Sequence, residues 1–325
     1  MEIIDLSCGG GGKNTHQLLV DVILKNLPYP ELSNMGDAAY LDTLAFTTDS
    51  FVITPEFFCN GDIGKLAVCG TSNDLAVAGA KPEFMSLALI IPEGYKKENL
   101  ARIIRSIKIF ADEIDLQVVC GDTKVIDNKS LKSILINTSG IGKIIKRLND
   151  YNAINVGDKV IITSDIARHG MAVLLSRGEL QFNGSIDSDC CHLYNIFKAL
   201  DYRDLNFARD ATRGGVASVL NEITEKCRKG FLIYEENIVI RKEVKYLCEM
   251  LGFDPLSVAN EGVAVIIVKR NKSEDVLKLI KEIPAGVNAF IAGEVIERPN
   301  VILRNVYGGL QNVEMPSGLL LPRIC

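Results

Sequence analysis

The chain has 325 residues, of which 47 % are hydrophobic and 24 % are charged, and its formal net charge is -5 at pH 7. A chain of this length predicts about two domains and can bury enough surface to fold without disulfides or a structural metal. The Lys and Arg residues are scattered apart from one short run at Lys143–Arg147, which argues against a nucleic acid partner. No apolar stretch approaches the ~20 residues of a membrane span, so no membrane association is expected.

Cysteine and histidine usage limits the chemistry further. There are nine Cys and three His, and no C-x-x-C pair occurs. The N-terminus has no basic region followed by an apolar stretch, so no signal peptide is expected. Reduced thiols in a cytoplasmic protein fit these features best. Because the three His are too few and too scattered for a histidine site, any metal would be held by oxygen.

The first 35 residues form a glycine-rich leader. Four glycines, Gly9–Gly12, precede Lys13, and a helix-like apolar stretch follows from Leu18 to Leu27. Since Asn14 follows Lys13 and no clear strand precedes the glycines, the segment is not a Walker phosphate loop. Two interpretations stay open: a loop that folds over phosphates with Lys13, or a plain flexible leader.

The rest of the chain predicts two α/β domains followed by a tail. Residues 36–150 alternate strands and helices, and a polar turn at 149–157 marks the boundary to the second domain, 151–304. Residues 305–325 are rich in Gly and Pro and predict a flexible C-terminal tail. Strands are predicted at 45–48, 50–53, 116–120, 134–139, 159–163, 263–268 and 288–292. Helices are predicted at 63–80, around 100–114, near 170–177, 190–200 and 214–227, and at 273–282.

Five aspartates with small neighbours are the candidates for chemistry. They are Asp37, Asp49, Asp74, Asp122 and Asp210. Taken alone, each is typical of a turn or a helix cap. Two carboxylates ~4 Å apart repel by about 4 kcal/mol at an effective dielectric constant of ~20, so a converging group needs cations. Because Mg²⁺ takes oxygen ligands and bridges phosphates, convergence would imply Mg²⁺ with a nucleotide, whereas an isolated Asp implies nothing.

Three further charged residues are weighed beside the aspartates. Arg213 opens a predicted helix, whose N-terminal N–H groups favour anions. Glu261 precedes a buried strand and is either a cap or a site residue. Lys65 and Asp74 lie nine residues apart on one predicted helix, about half a turn out of phase, so Lys65 is not expected in the site.

Seven short motifs carry a family resemblance. They are GDAA at 36–39, TTDSFVITPEFF at 47–58, GDIGKLAVCGTSNDLAVAGAKP at 61–82, GDTKV at 121–125, DATRGG at 210–215, NEG at 260–262 and PRIC at 322–325. Together they resemble the HypE family of hydrogenase maturation factors, within the ATP-binding superfamily of aminoimidazole ribonucleotide synthetase, thiamine-phosphate kinase and selenophosphate synthetase. GDAA, TTD, ND and GDT are similar across that superfamily, whereas PRIC and GDTKV indicate HypE.

The resemblance implies a fold and a reaction. The fold is a two-domain α/β (α+β) aminoimidazole ribonucleotide synthetase-like fold, with the N-terminal domains of a homodimer pairing into a β-barrel. The reaction starts when a HypF-like carbamoyltransferase loads a carbamoyl group onto the thiol of Cys325. ATP then phosphorylates the carbamoyl oxygen, and proton loss yields a thiocyanate. The cyanide passes to iron on a HypC–HypD-like complex during assembly of the [NiFe]-hydrogenase centre.

The resemblance also implies roles for individual residues. Cys325 would carry the substrate, Glu261 would be the base and Lys124 would place phosphate or substrate. Mg²⁺ would be held by Asp37, Asp74, Asp122 and Asp210. ATP would be bound by Lys13, Asp49, Gly121, Asp122, Thr123 and Arg213.

Two other functions stay open at this point. Cys8 beside the glycines and Lys13 is similar to the leader of selenophosphate synthetase, which indicates an ATP-dependent phosphotransferase that needs no terminal Cys. A non-catalytic carrier or scaffold, holding a group on Cys325, is the weaker alternative because it leaves the aspartates without a purpose.

Overall fold

The computed structural model describes residues 3–129, 131–180 and 182–317. Their elements form two large sheets, each packed against helices, and one small two-stranded sheet, with a helical leader before the first large sheet. The predicted two-domain α/β architecture is therefore confirmed. No helix within these ranges combines the length and apolar character needed to cross a membrane.

The leader is helical and lies against the second domain. A 3-10 turn at Leu6–Gly9 is followed by α1 (Gly12–Leu18), a π-helical turn at Leu19–Leu24 and α2 (Pro30–Ser33). Gly11, just before α1, has φ +83° and a Cβ there would come within 2.7 Å of the Arg213 Cβ. A left-handed backbone in such close contact is a position that glycine fills without strain.

The first sheet has the strand order β1-β2-β7-β5-β6 and is antiparallel except for the parallel pair β5–β6. Its strands are β1 (Ala39–Leu41), β2 (Leu44–Phe51), β5 (Ala80–Pro92), β6 (Gln117–Ile126) and β7 (Leu135–Ile144). A separate small hairpin joins β3 (Phe57–Phe58) to β4 (Gly61–Asp62). Sequence reasoning missed β5, the longest strand, because its apolar run does not alternate and its pairing is broken by bulges.

Two helices cover one face of this sheet, α3 (Ile63–Val77) and α4 (Lys97–Asp112). Nearly every residue of α3 is buried, because the sheet and α4 lie on one side and the second domain on the other. The opposite face of the sheet is open to solvent, and β6 is exposed along almost its whole length. Alternation in β2 shows the two faces: Ala45 and Thr47 point inward and are buried, whereas Leu44 and Phe46 are exposed.

The second sheet has the order β14-β13-β10-β12-β8-β11-β9 and is antiparallel except for β10–β13. Its strands are β8 (Lys159–Ile162), β9 (Leu205–Asp210), β10 (Gly230–Tyr234), β11 (Ala264–Val268), β12 (Phe290–Ile296), β13 (Val301–Arg304) and β14 (Leu310–Asn312). The helices of this half are α5 (Arg168–Ser176), α6 (Tyr194–Phe197), α7 (Gly215–Cys227), α8 (Lys242–Leu251) and α9 (Ser273–Lys281).

The described part of the predicted tail is attached to the body. Strand β14 pairs with β13, so the tail begins with an edge strand of the second sheet. Beyond it, Asn221 Nδ2 donates to Val313 O at 3.0 Å. Lys13 N donates to Pro316 O at 2.9 Å. The last described residues of the chain therefore lie beside the start of α1.

Candidate nucleotide and metal site

A large cavity lies where the leader, the first sheet and the second domain meet. Its volume is about 450 Å³. Its lining combines charged and polar residues of both domains with apolar residues of the leader. A cleft of this size with a few convergent polar groups is typical of a small-molecule site.

Three of the predicted aspartates converge in this cavity. Asp37, Asp74 and Asp210 each offer a carboxylate oxygen, and these oxygens all lie within 4.8 Å of one another. Asp37 precedes β1, Asp74 lies on α3 and Asp210 ends β9, so both domains contribute. The folding of two domains around one cleft brings together groups 173 positions apart in sequence.

The electrostatics of this cluster call for a cation. Burial raises the pKa of Asp37, and it raises the pKa of Asp74 and Asp210 well above the usual range. Neighbouring aspartates raise the pKa of Asp74 and Asp210 further, because the carboxylates repel one another. Oxygen-only ligands on a concave, partly buried surface fit Mg²⁺, which prefers carboxylates and phosphates.

Three residues that sequence reasoning missed hold the cluster in place. Thr47 Oγ1 donates to Asp74 Oδ2 at 2.6 Å. Arg209 Nε donates to Asp37 Oδ1 at 3.1 Å, and Arg209 Nη1 pairs with Glu222 Oε2 at 2.8 Å. Thr47 belongs to the TTD motif and Arg209 directly precedes Asp210, so proximity to a motif was the only signal in the sequence.

Asp49 and Arg213 line the same cavity. Burial raises the pKa of Asp49, while the nearby Arg213 guanidinium and a hydrogen bond with Asp74 act in the opposite direction. Arg213 precedes α7, whose N-cap Gly214 has φ +73°. A Cβ on the next residue, Gly215, would come within 2.5 Å of two backbone oxygens, so only glycine allows α7 to start here. The helix N-terminus next to a cation is suited to anion binding.

Glu261 lines the cavity from the second domain and is 7 % exposed. Burial raises its pKa well above the usual range, and nearby groups, including the Cys190 thiol and Asp210, raise it further. Two buried side chains hold its backbone: Asp189 Oδ1 accepts from Glu261 N at 2.7 Å, and Asn73 Nδ2 donates to Glu261 O at 2.9 Å. The site thus contains a carboxylate with high proton affinity beside the aspartate cluster.

The GDTK residues do not join the cluster within one chain. Gly121, Asp122, Thr123 and Lys124 lie on the edge strand β6 and are exposed. Asp122 Oδ2 pairs with Lys124 Nζ at 2.7 Å, and this hydrogen bond lowers the pKa of Asp122. Of the four predicted metal ligands, the chain folds three together and leaves Asp122 on an open surface.

The remaining predicted residues lie at or beyond the edge of the cavity. Lys13 has an exposed side chain next to Gly12, which lines the cavity. Cys8 is half-buried, with Sγ 3.9 Å from Asp5 Oδ1. Lys65, expected to be outside the site, donates to Asn60 O at 2.9 Å. Cys325 lies outside the described residues.

Comparison with known protein families identifies the architecture. Residues 35–144 match the N-terminal domain of AIR synthase related proteins, and residues 155–304 match the C-terminal domain. Fold and site together therefore define a member of the AIR synthase related class.

Closer relatives narrow this class. The carbamoyl dehydratase HypE of Escherichia coli strain K12 is 37 % identical over 100 % of both chains. A crystallised HypE–HypF complex contains a chain with TM-score 0.89 and 41 % identity, with 92 % of this chain and 99 % of that chain covered. A HypE structure in complex with ATP has TM-score 0.83 and 34 % identity, covering 98 % and 99 %. The chain belongs to the HypE family of hydrogenase maturation proteins, and the resemblance inferred from its motifs is confirmed.

Proposed function

We propose that this chain is an ATP-dependent carbamoyl dehydratase that acts on an S-carbamoyl group carried by its own Cys325. The observation that carries the proposal is one interdomain cavity that contains both an aspartate cluster suited to a metal and the buried Glu261 carboxyl group with its raised pKa. The solved ATP complex of a relative supports the nucleotide.

The first step activates the carbamoyl oxygen. That oxygen attacks the γ-phosphorus of ATP, the bond to the β-phosphate oxygen breaks and ADP leaves. One nitrogen proton is released, which leaves an S-bound imidate phosphate. Phosphoryl transfer depends mainly on positioning and charge neutralisation. The N-terminus of α7, with Arg213 before it, provides cationic and N–H groups for the phosphates.

Asp37, Asp74 and Asp210 would hold Mg²⁺, and the bound cation would supply positive charge to neutralise the phosphate groups. A cation would also stabilise the ionised carboxylates, because burial and then mutual repulsion raise the pKa of Asp74 and Asp210. Asp49 lies close by and lines the same cavity.

The second step is an elimination. A base takes the remaining nitrogen proton, the C–O bond breaks, phosphate leaves with the electron pair and the protein thiocyanate forms. Glu261 is the base in this proposal, because a carboxylate with a raised pKa is a stronger proton acceptor than an exposed one. Lys124 would place the phosphate or the substrate.

The tail is long enough to bring its thiol to the cavity. Pro316 O accepts from Lys13 N, and the neighbouring Gly12 lines the cavity. The segment from Pro316 to Cys325 can span at most about 30 Å when fully extended. A thiol on this segment can therefore reach both the cavity and an external donor.

A homodimer would complete the site. The open face of the first sheet exposes Phe46 and Phe84, and the edge strand β6 is unpaired on one side among the described residues. Such a surface favours association with a second copy. Pairing of two first domains, as in the proposed β-barrel, would carry Asp122 and Lys124 towards the cavity of the other subunit. The GDTK residues would then take part in a site that they do not reach within their own chain.

The proposed reaction needs two external partners, one that donates the carbamoyl group and one that accepts the cyanide. A HypF-like carbamoyltransferase would load Cys325, which the solved HypE–HypF complex of relatives supports. A HypC–HypD-like iron complex would accept the cyanide. The eight free cysteines of the described residues suit the reducing cytoplasm.

Intact-mass spectrometry tests the proposal. The protein is incubated with the carbamoyl donor and Mg–ATP, and we expect a carbamoyl adduct that then loses the mass of one water molecule. Cys325→Ala should take no adduct, and Cys8→Ala should react normally. Glu261→Gln should keep the carbamoyl group, with or without a phosphate on its oxygen, and should not go on to the thiocyanate. Reaction of Cys325→Ala, or failure of Cys8→Ala, would refute the proposal and favour a selenophosphate synthetase-like function of Cys8 and Lys13. A wild-type protein that is loaded but never loses water would favour the non-catalytic carrier.

A further inference from the structure

The contact between Asn73 and Glu261 crosses the domain boundary inside the molecule. Asn73 lies on α3 in the first domain and is 1 % exposed. Its Nδ2 donates to Glu261 O at 2.9 Å and to Cys191 O at 3.0 Å. Its Oδ1 accepts from Leu193 N at 2.8 Å. Three of its four hydrogen-bonding positions are thus used by two loops of the second domain.

Asn73 and Asp74 are consecutive residues of α3, but their side chains contact different groups. Asp74 belongs to the aspartate cluster, where it accepts from Thr47. Asn73 points to the loop that carries Glu261. Because adjacent residues of a rigid helix keep a fixed separation, the position of the cluster and the position of the Glu261 backbone are set by one element.

Asp189 holds Glu261 from the other side. Its Oδ1 accepts from Glu261 N at 2.7 Å and from Gly262 N at 3.0 Å. Its Oδ2 accepts from His169 N at 3.2 Å. A Cβ at position 262 would come within 2.1 Å of Asp189 O, so the loop has no room to shift towards Asp189. The N–H groups of residues 261 and 262 and the C=O of Glu261 are therefore all fixed by side chains.

We propose that Asn73 is a positioning residue for the dehydration step: it fixes Glu261 relative to the phosphate site by hydrogen-bonding the Glu261 carbonyl from the helix that carries Asp74. The inference rests on the proposed function, because it takes Glu261 as the base. A displacement of about 1 Å at a reacting group costs on the order of 100-fold in rate, which is what removal of such a support would produce.

Two substitutions separate this role from general stability. Asn73→Ala removes all three hydrogen bonds. Asn73→Asp keeps the shape and the acceptor for Leu193 N, but replaces the donor with an oxygen that faces two carbonyl oxygens. Ser72→Ala is the matched control, since Ser72 is buried on the same helix and its hydroxyl bonds His192 and Cys69 O instead of the Glu261 loop.

The decisive measurement is single-turnover water loss from carbamoyl-loaded full-length protein, with Mg–ATP affinity by calorimetry and melting temperature alongside. We expect both Asn73 variants to load normally, to bind Mg–ATP within about threefold of wild type and to lose water about 10- to 100-fold more slowly. Ser72→Ala should lose water at the wild-type rate even if it melts earlier.

Several outcomes would overturn the inference. Wild-type rates of water loss in either Asn73 variant would do so, as would an equal slowing in Ser72→Ala. If a variant neither folds nor binds Mg–ATP, Asn73→Ser takes its place, because serine keeps one hydrogen-bond donor. A wild-type rate of water loss in Asn73→Ser, or an equal slowing in Ser72→Ala, would again overturn the inference. Normal water loss in Glu261→Gln would instead refute the base assignment in the proposed function, whatever the Asn73 variants do.

Discussion

Arg209 places a largely buried guanidinium against Asp37, with Nε 3.1 Å from Asp37 Oδ1. Glu222 Oε2 takes the Nη1 side of the same guanidinium at 2.8 Å. Because both sides of Arg209 are engaged, it stays beside the cluster and supplies positive charge there when no metal is bound. Asp37 keeps its second oxygen for a cation.

This arrangement predicts that Arg209→Gln lowers the free energy of unfolding, and that the size of the loss depends on whether metal is bound. Removal of one partner from a buried ion pair leaves uncompensated charge, so the free energy of unfolding in chelator should fall by about 3 kcal/mol. Saturating Mg²⁺ should recover part of that loss, because the cation takes over the neutralisation of Asp37. Urea denaturation with and without Mg²⁺ measures both values. Arg203→Gln, at an exposed pair with Asp201, is the control and should cost little. An equal loss in both conditions would contradict the role given to Arg209.

Asp74→Asn tests whether repulsion among the clustered carboxylates destabilises the metal-free protein. The substitution keeps the acceptor for Thr47 Oγ1 and removes one mutually repelling carboxyl group. The metal-free melting temperature should rise by about 3 °C, and the stabilisation by Mg–ATP should disappear. Scanning calorimetry of Asp74→Asn and of the exposed control Asp201→Asn, with and without Mg–ATP, provides the comparison. Retention of full Mg–ATP stabilisation by Asp74→Asn would exclude it as a ligand.

Two buried histidines predict a loss of stability in mild acid. Burial lowers the pKa of His169 from 6.5 to about 3 and that of His192 from 6.5 to about 4. The unfolded chain therefore binds protons below about pH 6.5 that the folded chain does not, and this contribution to stability falls as the pH drops from 6.5 towards 4. In NMR spectra of the folded protein, both imidazoles should show no titration between pH 7 and about 5. A midpoint near 6.5 for either would disprove its burial as a neutral ring.

The open sheet face predicts that a charge will prevent dimerisation. Phe84→Arg puts a cation on a surface that a second copy would bury, so the variant should sediment as a monomer at micromolar concentration. Val156→Arg, at a residue 50 % exposed outside this sheet, is the control and should leave the dimer intact. The proposed interface would be refuted if the wild-type protein were a monomer, or if Phe84→Arg formed dimers with an unchanged dissociation constant.

Subunit mixing shows in which cavity Asp122 acts. If Asp122 serves the other subunit, Asp122→Asn and Asp74→Asn homodimers are both inactive, but a mixed dimer has one intact site. Refolded equimolar mixtures should then regain about a quarter of the wild-type rate, since half of the dimers are mixed and each has one of two sites intact. The separate homodimers measured alone are the controls. A mixture that stays inactive would place Asp122 in the site of its own subunit, and an active Asp122→Asn homodimer would place it in neither site.

The sequence alone was enough to predict the fold class and to identify the aspartates of the site. Helix α4 was predictable because its apolar residues repeat on one face, and the GDAA, ND and DATRGG motifs marked Asp37, Asp74 and Asp210 by their small neighbours. The family resemblance came from the same short motifs. These features are local, so they can be read without knowing where the chain goes next.

Tertiary structure alone decided which of those residues meet. Asp122 has the same kind of motif as Asp74, but β6 is an edge strand, and the ion-pair partner of Asp122 among the described residues is its neighbour Lys124. Arg209 and Asp189 lie outside the quoted motifs, and Asn73 lies in the ND motif without having been singled out. Arg209 and Asn73 gain their roles from contacts across the domain boundary, whereas Asp189 gains its role from a contact with the Glu261 loop of its own domain. Composition and periodicity determine what a segment forms and which face it buries. The partners of a buried polar group are set by the packing of distant segments, because each such group must find its hydrogen bonds wherever the fold places it.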